Sequence, residues 1–181
     1  MQSYDYTRRE GIREISWEDF AALAARLAEG LSSHNIEVVI GIARAGLFPA
    51  TSVACILRRE LYPVRVTRRM NDEVTYDSPV WRVGVSPEVS GKIVAVVDEI
   101  ADTGETLRLV ANEVLRQGAR CVVTGTLTSH TWASPSPTVC PLISDALIVF
   151  PWDRLVFADG KWQAHPELVE ALRLQSGNEG S

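Results

Sequence analysis

Two acids side by side, Asp98 and Glu99, follow directly on the apolar run Ile93, Val94, Ala95, Val96 and Val97. After two spacers come Asp102, Thr103, Gly104, Glu105 and Thr106, and then the apolar spacing of a helix. A Gly- and Thr-containing loop that opens a helix offers outward backbone amides at the positive end of the helix dipole, which suits a phosphate. Thr103 and Thr106 add hydroxyl donors. The carboxylate pair repels phosphate, and its chemistry is to hold hydroxyls or a hydrated cation. A sugar phosphate satisfies both halves. The bland alternative is a strand-to-helix turn in which Asp102 or Thr103 only caps the helix.

These residues need a buried strand before them and a helix after them, and the chain supplies both. The run 93–97 is short and rich in Val and Ile, as a fully buried strand requires. Leu107, Val110, Ala111, Val114 and Leu115 then recur at helical spacing, and Gly118 ends the helix. Upstream, Ser16 with Asp19 reads as a helix start, and Phe20, Leu23, Leu27 and Leu31 give an amphipathic helix that stops near 30–33. Further strands are predicted at 36–42, 62–67, 119–127 and 146–150, with a helix over about 48–60 and a closing helix over 166–174. The polar stretch 68–90, with Arg68, Arg69, Asp72, Glu73, Asp77, Arg82, Pro79 and Pro87, reads as irregular and is long enough to be functional. The alternation predicts an α/β fold: an open, mostly parallel twisted sheet flanked by helices. Strand ends are where such sheets bind ligands.

At 181 residues the chain fits one domain. A single domain is expected over 1–174, with a core of about 34–128, a small hood from 1–16 and 129–174, and a flexible tail at 175–181. A net charge of −5 and a pI near 5.2 argue against general nucleic-acid binding, which needs a basic face. Cys55, Cys121 and Cys140 are odd in number and lack CxxC spacing, so neither a disulfide framework nor a zinc site is indicated. Apolar runs stop far short of the ~20 residues a membrane helix needs. The first twenty residues are charged throughout, so a cytoplasmic location is expected.

The segment from Val94 to Leu107 resembles the 5-phosphoribosyl-1-pyrophosphate (PRPP) binding motif of the type I phosphoribosyltransferases, and the resemblance extends over roughly 36–153. It implies that Asp98 and Glu99 bind the ribose hydroxyls and Mg²⁺, and that the 5′-phosphate lies in the loop Asp102, Thr103, Gly104, Glu105 and Thr106. The second acid is more often Asp, and Glu99 is one methylene longer. The loop after the first core strand, Ala43, Arg44, Ala45 and Gly46, resembles the family's pyrophosphate loop, which often carries a non-proline cis peptide. Ala45 departs from the glycine common in the purine enzymes. Read alone, this loop has the outer Gly spacing of a P-loop, but Leu47 and Phe48 stand where Lys and Ser/Thr are required, which excludes an NTPase; Arg44 then reads as a surface turn residue.

The Asp-Thr-Gly start of the phosphate loop resembles the enzymes that use 6-oxopurines, and implies Asp102 as the group that exchanges a proton with purine N7. The segment Leu147, Ile148, Val149, Phe150, Pro151, Trp152 and Asp153 resembles the xanthine-guanine branch, with Leu147 and Ile148 as the apolar wall of the base; the alternative is a core strand before a buried Trp. That branch has a Lys on the strand after the third helix, and here 124–135 offers Thr128, Ser129, His130 and Thr131 instead. His130 is the candidate donor to the base, with an incidental histidine as the alternative. Thr75 and Tyr76, with Arg68 and Arg69, resemble the mobile loop that closes over PRPP, against a plain solvated loop. The resemblance implies a Mg²⁺-dependent purine phosphoribosyltransferase of purine salvage, joining hypoxanthine, guanine or xanthine to PRPP with release of pyrophosphate and a nucleoside monophosphate, and a homodimer. A PRPP-binding regulatory protein, or a phosphoribosyltransferase for adenine or a pyrimidine, is the alternative.

Overall fold

In the computed structural model, which describes residues 9–67, 69–70, 73–74, 80–166, 168–169 and 171–173, the apolar runs become a parallel sheet. In chain order the elements are β1 (Ile12–Glu14), α1 (Trp17–Ser32), β2 (Val38–Ala43), α2 (Leu47–Leu57), β3 (Glu60–Thr67), β4 (Arg69–Met70), β5 (Glu73–Val74), β6 (Val80–Val83), β7 (Ile93–Ala101), α3 (Glu105–Arg116), β8 (Cys121–Ser129), β9 (Leu142–Ile143), β10 (Leu147–Val149), β11 (Leu155–Ala158) and β12 (Lys161–Ala164). The main sheet runs β6-β3-β2-β7-β8-β9, parallel throughout except for the antiparallel edge strand β6. Among the described residues, no helix is long and apolar enough to cross a membrane.

The chain divides into two compact units, one of described residues up to Ala21 and from Asp145 onward, the other Ala22–Ser144. In the larger unit, Val38, Ile40, Ile42, Val94 and Val96 pack with Leu107, Val110 and Val114 of α3 on one face of the sheet. Fully burying each such side chain contributes about 1.5–3 kcal/mol. On the other face the register row Gly41, Val97, Gly125 crosses three neighbouring strands. A Cβ at Gly41 would lie 2.7 Å from Ala50 Cβ of α2, and one at Gly125 would lie 3.0 Å from Leu27 Cδ1 of α1. The missing side chains let both helices sit close on the sheet. Ser16 and Asp19 form the expected capping box: Ser16 Oγ accepts from the Asp19 N–H at 3.0 Å, and Asp19 Oδ2 accepts from the Ser16 N–H at 3.0 Å.

Several boundaries differ from the sequence-based expectation. Strand β7 runs on through the acids to Ala101, because its ladder with β8 continues as Asp98↔Thr126, Ile100↔Thr128 and Ala101↔Ser129. Helix α2 stops at Leu57, where Arg58 turns to φ 54°. The stretch expected to be irregular holds the β4–β5 pair and β6, an edge strand whose mixed composition suits a strand with one open side. The strand expected near 146–150 does not join the main sheet. As β10 it pairs in parallel with β1, Ile12↔Leu147 to Glu14↔Val149. All three residues of β1 are exposed, so it carries no apolar signal. The β11–β12 hairpin was not expected either, although Asp159-Gly160, with φ 53° and 74°, is a strong turn signal. The closing helix is present at described positions 166, 168–169 and 171–173.

Candidate active site

Strand β2 is followed by α2 and its neighbour β3 on one side, and β7 by α3 and its neighbour β8 on the other. The sheet therefore reverses its direction of winding between β2 and β7. At that switch point the loops leaving the two strands part, and the crevice at their carboxyl ends is the ligand position of open α/β sheets. The two loops are residues 43–46 and 102–104, the latter just beyond the acidic pair.

The loop after β2 begins with a cis peptide between Ala43 and Arg44. Its carbonyls are used at once by α2: Leu47 N–H donates to Arg44 O and Phe48 N–H to Ala45 O, both at 3.1 Å. Arg44 is exposed, Ala45 half-buried and Gly46 buried. A Cβ on Gly46 would overlap Asp98 Oδ1 and would lie 2.6 Å from the Ile42 carbonyl oxygen. Only glycine allows this loop to close against the first acid, so residues 43–46 and Asp98 form one continuous surface.

Asp98 is buried and Glu99 half-buried at the end of β7. Burial, then the charge of Glu99 and a hydrogen bond with its side chain, hold the Asp98 carboxyl well above the usual carboxylate range; the Glu99 N–H, donating to Asp98 Oδ1 at 3.1 Å, pulls the other way. Two crowded carboxylates, one desolvated, are relieved by hydroxyl donors or a cation. The arrangement fits Mg²⁺, which keeps most of its water and takes one or two carboxylates together with substrate oxygens.

The loop after β7, read from sequence as the phosphate loop, turns at Gly104, which has φ 83° and occupies the N-cap position of α3. Thr103 Oγ1 accepts from the Glu105 N–H at 3.3 Å, while Gly104 and not Thr103 occupies the N-cap position. Thr103 and Glu105 are exposed and Thr106 is half-buried. Asp102, half-buried, accepts at Oδ1 from the Trp132 indole N–H at 3.3 Å, and His130 Nε2 lies 3.8 Å from the same oxygen. Trp132 was not singled out from sequence; the available signal was an aromatic residue two positions from His130.

His130 itself is fully buried, with Nδ1 2.7 Å from the Ser144 carbonyl oxygen. In the smaller unit, Leu147 belongs to a core cluster with Val149 and Ala171, while Ile148 is half-buried on the alternate side of the strand. Phe150 and Trp152 stack at 4.8 Å and 7°, Phe20 packs edgewise on Trp152 at 5.5 Å, and Trp17 lies tilted against it at 5.9 Å. Arg68, Thr75 and Tyr76 lie outside the described residues; Arg69 is in β4, and Arg82, on β6, is exposed.

A parallel sheet with an acidic pair and a helix-opening Thr- and Gly-containing loop at its switch point is the arrangement the sequence motif called for. Residues 16–152 match the phosphoribosyl transferase domain, and the chain belongs to that family and carries its transferase domain. It is 31% identical to the xanthine-guanine phosphoribosyltransferase of Cereibacter sphaeroides over 160 residues, 77% of this chain and 85% of that one. It is 28% identical over 117 residues to the transcriptional regulator GfcR of Thermoplasma acidophilum, which covers 62% of this chain and 54% of the regulator, so the chain spans about half of that protein's length. Among solved structures it is similar to the purine phosphoribosyltransferase of Pyrococcus horikoshii, with a TM-score of 0.70 and 31% identity over 78% of this chain and 93% of that one. The family read from the sequence motif is the family found, and its fold is the one observed.

Proposed function

We propose that the chain transfers 5-phosphoribose from PRPP to a purine base, with 6-oxopurines as its substrates. A bond forms between a ring nitrogen of the base and C1′ as the bond from C1′ to pyrophosphate breaks. The observation that carries this reading is the seat of Gly46 against Asp98, which joins the pyrophosphate loop and the ribose acids into one surface. On this assignment Asp98 and Glu99 accept hydrogen bonds from the ribose hydroxyls. The amides of the loop 102–106, with the Thr103 and Thr106 hydroxyls, hold the 5′-phosphate. Arg44, Ala45 and Gly46 hold pyrophosphate. Asp102 takes the N7 proton as the base attacks, and Ile148 supplies an apolar wall. Mg²⁺, held by Asp98 and Glu99, would neutralise the charge of the leaving pyrophosphate.

Support for a purine comes from the Asp-Thr-Gly start of the phosphate loop and from the similarity to two purine enzymes at 31% identity. The test is turnover of PRPP and Mg²⁺ with hypoxanthine, guanine, xanthine, adenine, orotate and uracil, read as nucleoside monophosphate formed. Turnover of 6-oxopurines is expected; preference for adenine or a pyrimidine would overturn the base assignment. A second reading, a PRPP-binding regulator, is favoured by the similarity to GfcR. It predicts PRPP binding by calorimetry with turnover of no base.

A further inference from the structure

The short turn after β8 does more than end the strand. Its backbone grips the chain on both sides of Asp102: the His130 N–H donates to Ala101 O at 3.1 Å, and the Ser134 N–H donates to Thr103 O at 2.9 Å. Pro135 presses on the turn itself, since a Cβ at Gly104 would come within 2.5 Å of the Pro135 carbonyl oxygen. Between these two anchors the side chains of the turn converge on the Asp102 carboxylate.

Trp132 donates its indole N–H to Asp102 Oδ1 at 3.3 Å. The indole lies flat on the His130 ring, with centroids 4.4 Å apart and 17° between planes. His130 is in turn fixed by Nδ1 at 2.7 Å from the Ser144 carbonyl. A carbonyl oxygen only accepts, so Nδ1 carries the proton and Nε2 is the nitrogen turned to Asp102, at 3.8 Å. A hydrogen bond to a carboxylate is stronger than one to a neutral acceptor, and a stacked, buried backing ring keeps the donor in one place. A general base works only within hydrogen-bond reach of its proton, so a device that fixes its rotamer acts on turnover.

We infer that Trp132, backed by His130, is a positioning residue for Asp102, holding its carboxylate in the orientation in which it exchanges a proton with the base. This rests on the phosphoribosyl-transfer reading above. It also gives His130 a task other than direct contact with the base: the ring is buried behind Trp132 and acts through it.

The test is a double-mutant cycle between Trp132→Phe and Asp102→Ala, read as kcat on the best base and as PRPP affinity by calorimetry. Phenylalanine keeps a ring on His130 and removes only the N–H. Trp132→Phe is expected to lower kcat by about 10–10²-fold, the range for one hydrogen bond to a charged group, with PRPP affinity unchanged and no further loss in the Asp102→Ala background. An equal loss in both backgrounds, or no loss from Trp132→Phe, would overturn the inference. The Trp132 indole N–H resonance, followed by NMR in Asp102→Ala with the Trp132 side chain intact, checks the contact without turnover. It is expected to shift, and an unmoved resonance would overturn the contact. A wild type that turns over no base would sink the transfer reading, while the resonance would still decide whether Trp132 holds Asp102.

Discussion

The unit that carries the strand-end loops and the unit that carries β10 are built by opposite means. In the first, six- to nine-residue strands buried in the sheet deliver Ala43, Asp98 and Glu99 to one edge. In the second, three-residue strands, β1 and β10, pair across more than 130 positions of sequence, and an exposed hairpin follows. Residues read as base-binding are shared between the two units, His130 in the larger and Leu147 and Ile148 in the smaller. On the proposed assignment the difference separates a sugar-phosphate half, expected to tolerate little change, from a base half, where a substitution is expected to cost contact but not architecture.

The largest effect should come from Asp102, the proposed general base. Asp102→Asn should lower kcat by about 10²–10⁴-fold, as an amide cannot accept the proton. PRPP affinity should hold, because backbone amides do not change. If the residue served only the local turn, Asn would be nearly neutral, since it caps as well as Asp; near-wild-type turnover would discard the proton-transfer role. Next in size is Thr106→Ala, in the sugar-phosphate half. It should weaken PRPP binding by about 1.5–3 kcal/mol, the range for a hydrogen bond to a charged group, and leave kcat on bound substrate within a few-fold. Calorimetry with PRPP measures it directly, and unchanged affinity would move the phosphate away from the helix start.

Ile148→Ala probes the other half and should do the reverse. Loss of the apolar wall should raise KM for the base about tenfold, with PRPP affinity untouched. A change in PRPP affinity as large as the change in base KM would erase the distinction between the halves.

The two halves were also unequally legible, for the same physical reason. A strand buried on both faces must be apolar for its whole length, so the runs behind β2, β7 and β8 stand out in the chain. The sites grow from their ends, where the strands leave the core and the residues turn polar. There the apolar signal fails, which is why β7 reads as ending at Val97 although its ladder runs to Ala101. The acids were still legible because adjacent carboxylates after an apolar run are unusual for reasons of charge. In contrast, Ile12-Arg13-Glu14 alternates over three exposed residues, and β1 forms only because β10 supplies its partner. Leu147 looked like a binding wall and is a core residue, because in so short a strand parity alone decides which neighbour faces inward. Trp132 was hidden in a different way: its role depends on a stack and an acceptor that are set by tertiary folding.

The smallest effect concerns stability and runs against the usual expectation for a mutation. Asp98 is buried beside Glu99, and its carboxyl is held above the ordinary range chiefly by burial. The folded protein therefore binds a proton there at pH values where the unfolded chain, with an ordinary aspartate, has released it. By linkage, folding stability falls as pH rises through the window between the unfolded and the folded value, and the deficit persists above it. Below that window both states are protonated and the group contributes nothing. Asp98→Asn removes the titration while keeping the shape of the side chain. The Tm of the ligand-free variant should match wild type in acid and rise above it toward neutral pH, by about 2–4 °C for each kcal/mol in a chain of this size. The same substitution should weaken PRPP binding, since on the proposed assignment the charge that burdens the ligand-free protein is the charge that receives magnesium and the ribose hydroxyls. Melting curves from pH 3 to 8 decide the matter: a Tm difference that stays flat with pH, or a variant less stable than wild type at neutral pH, would show that the acid is not strained in the ligand-free protein.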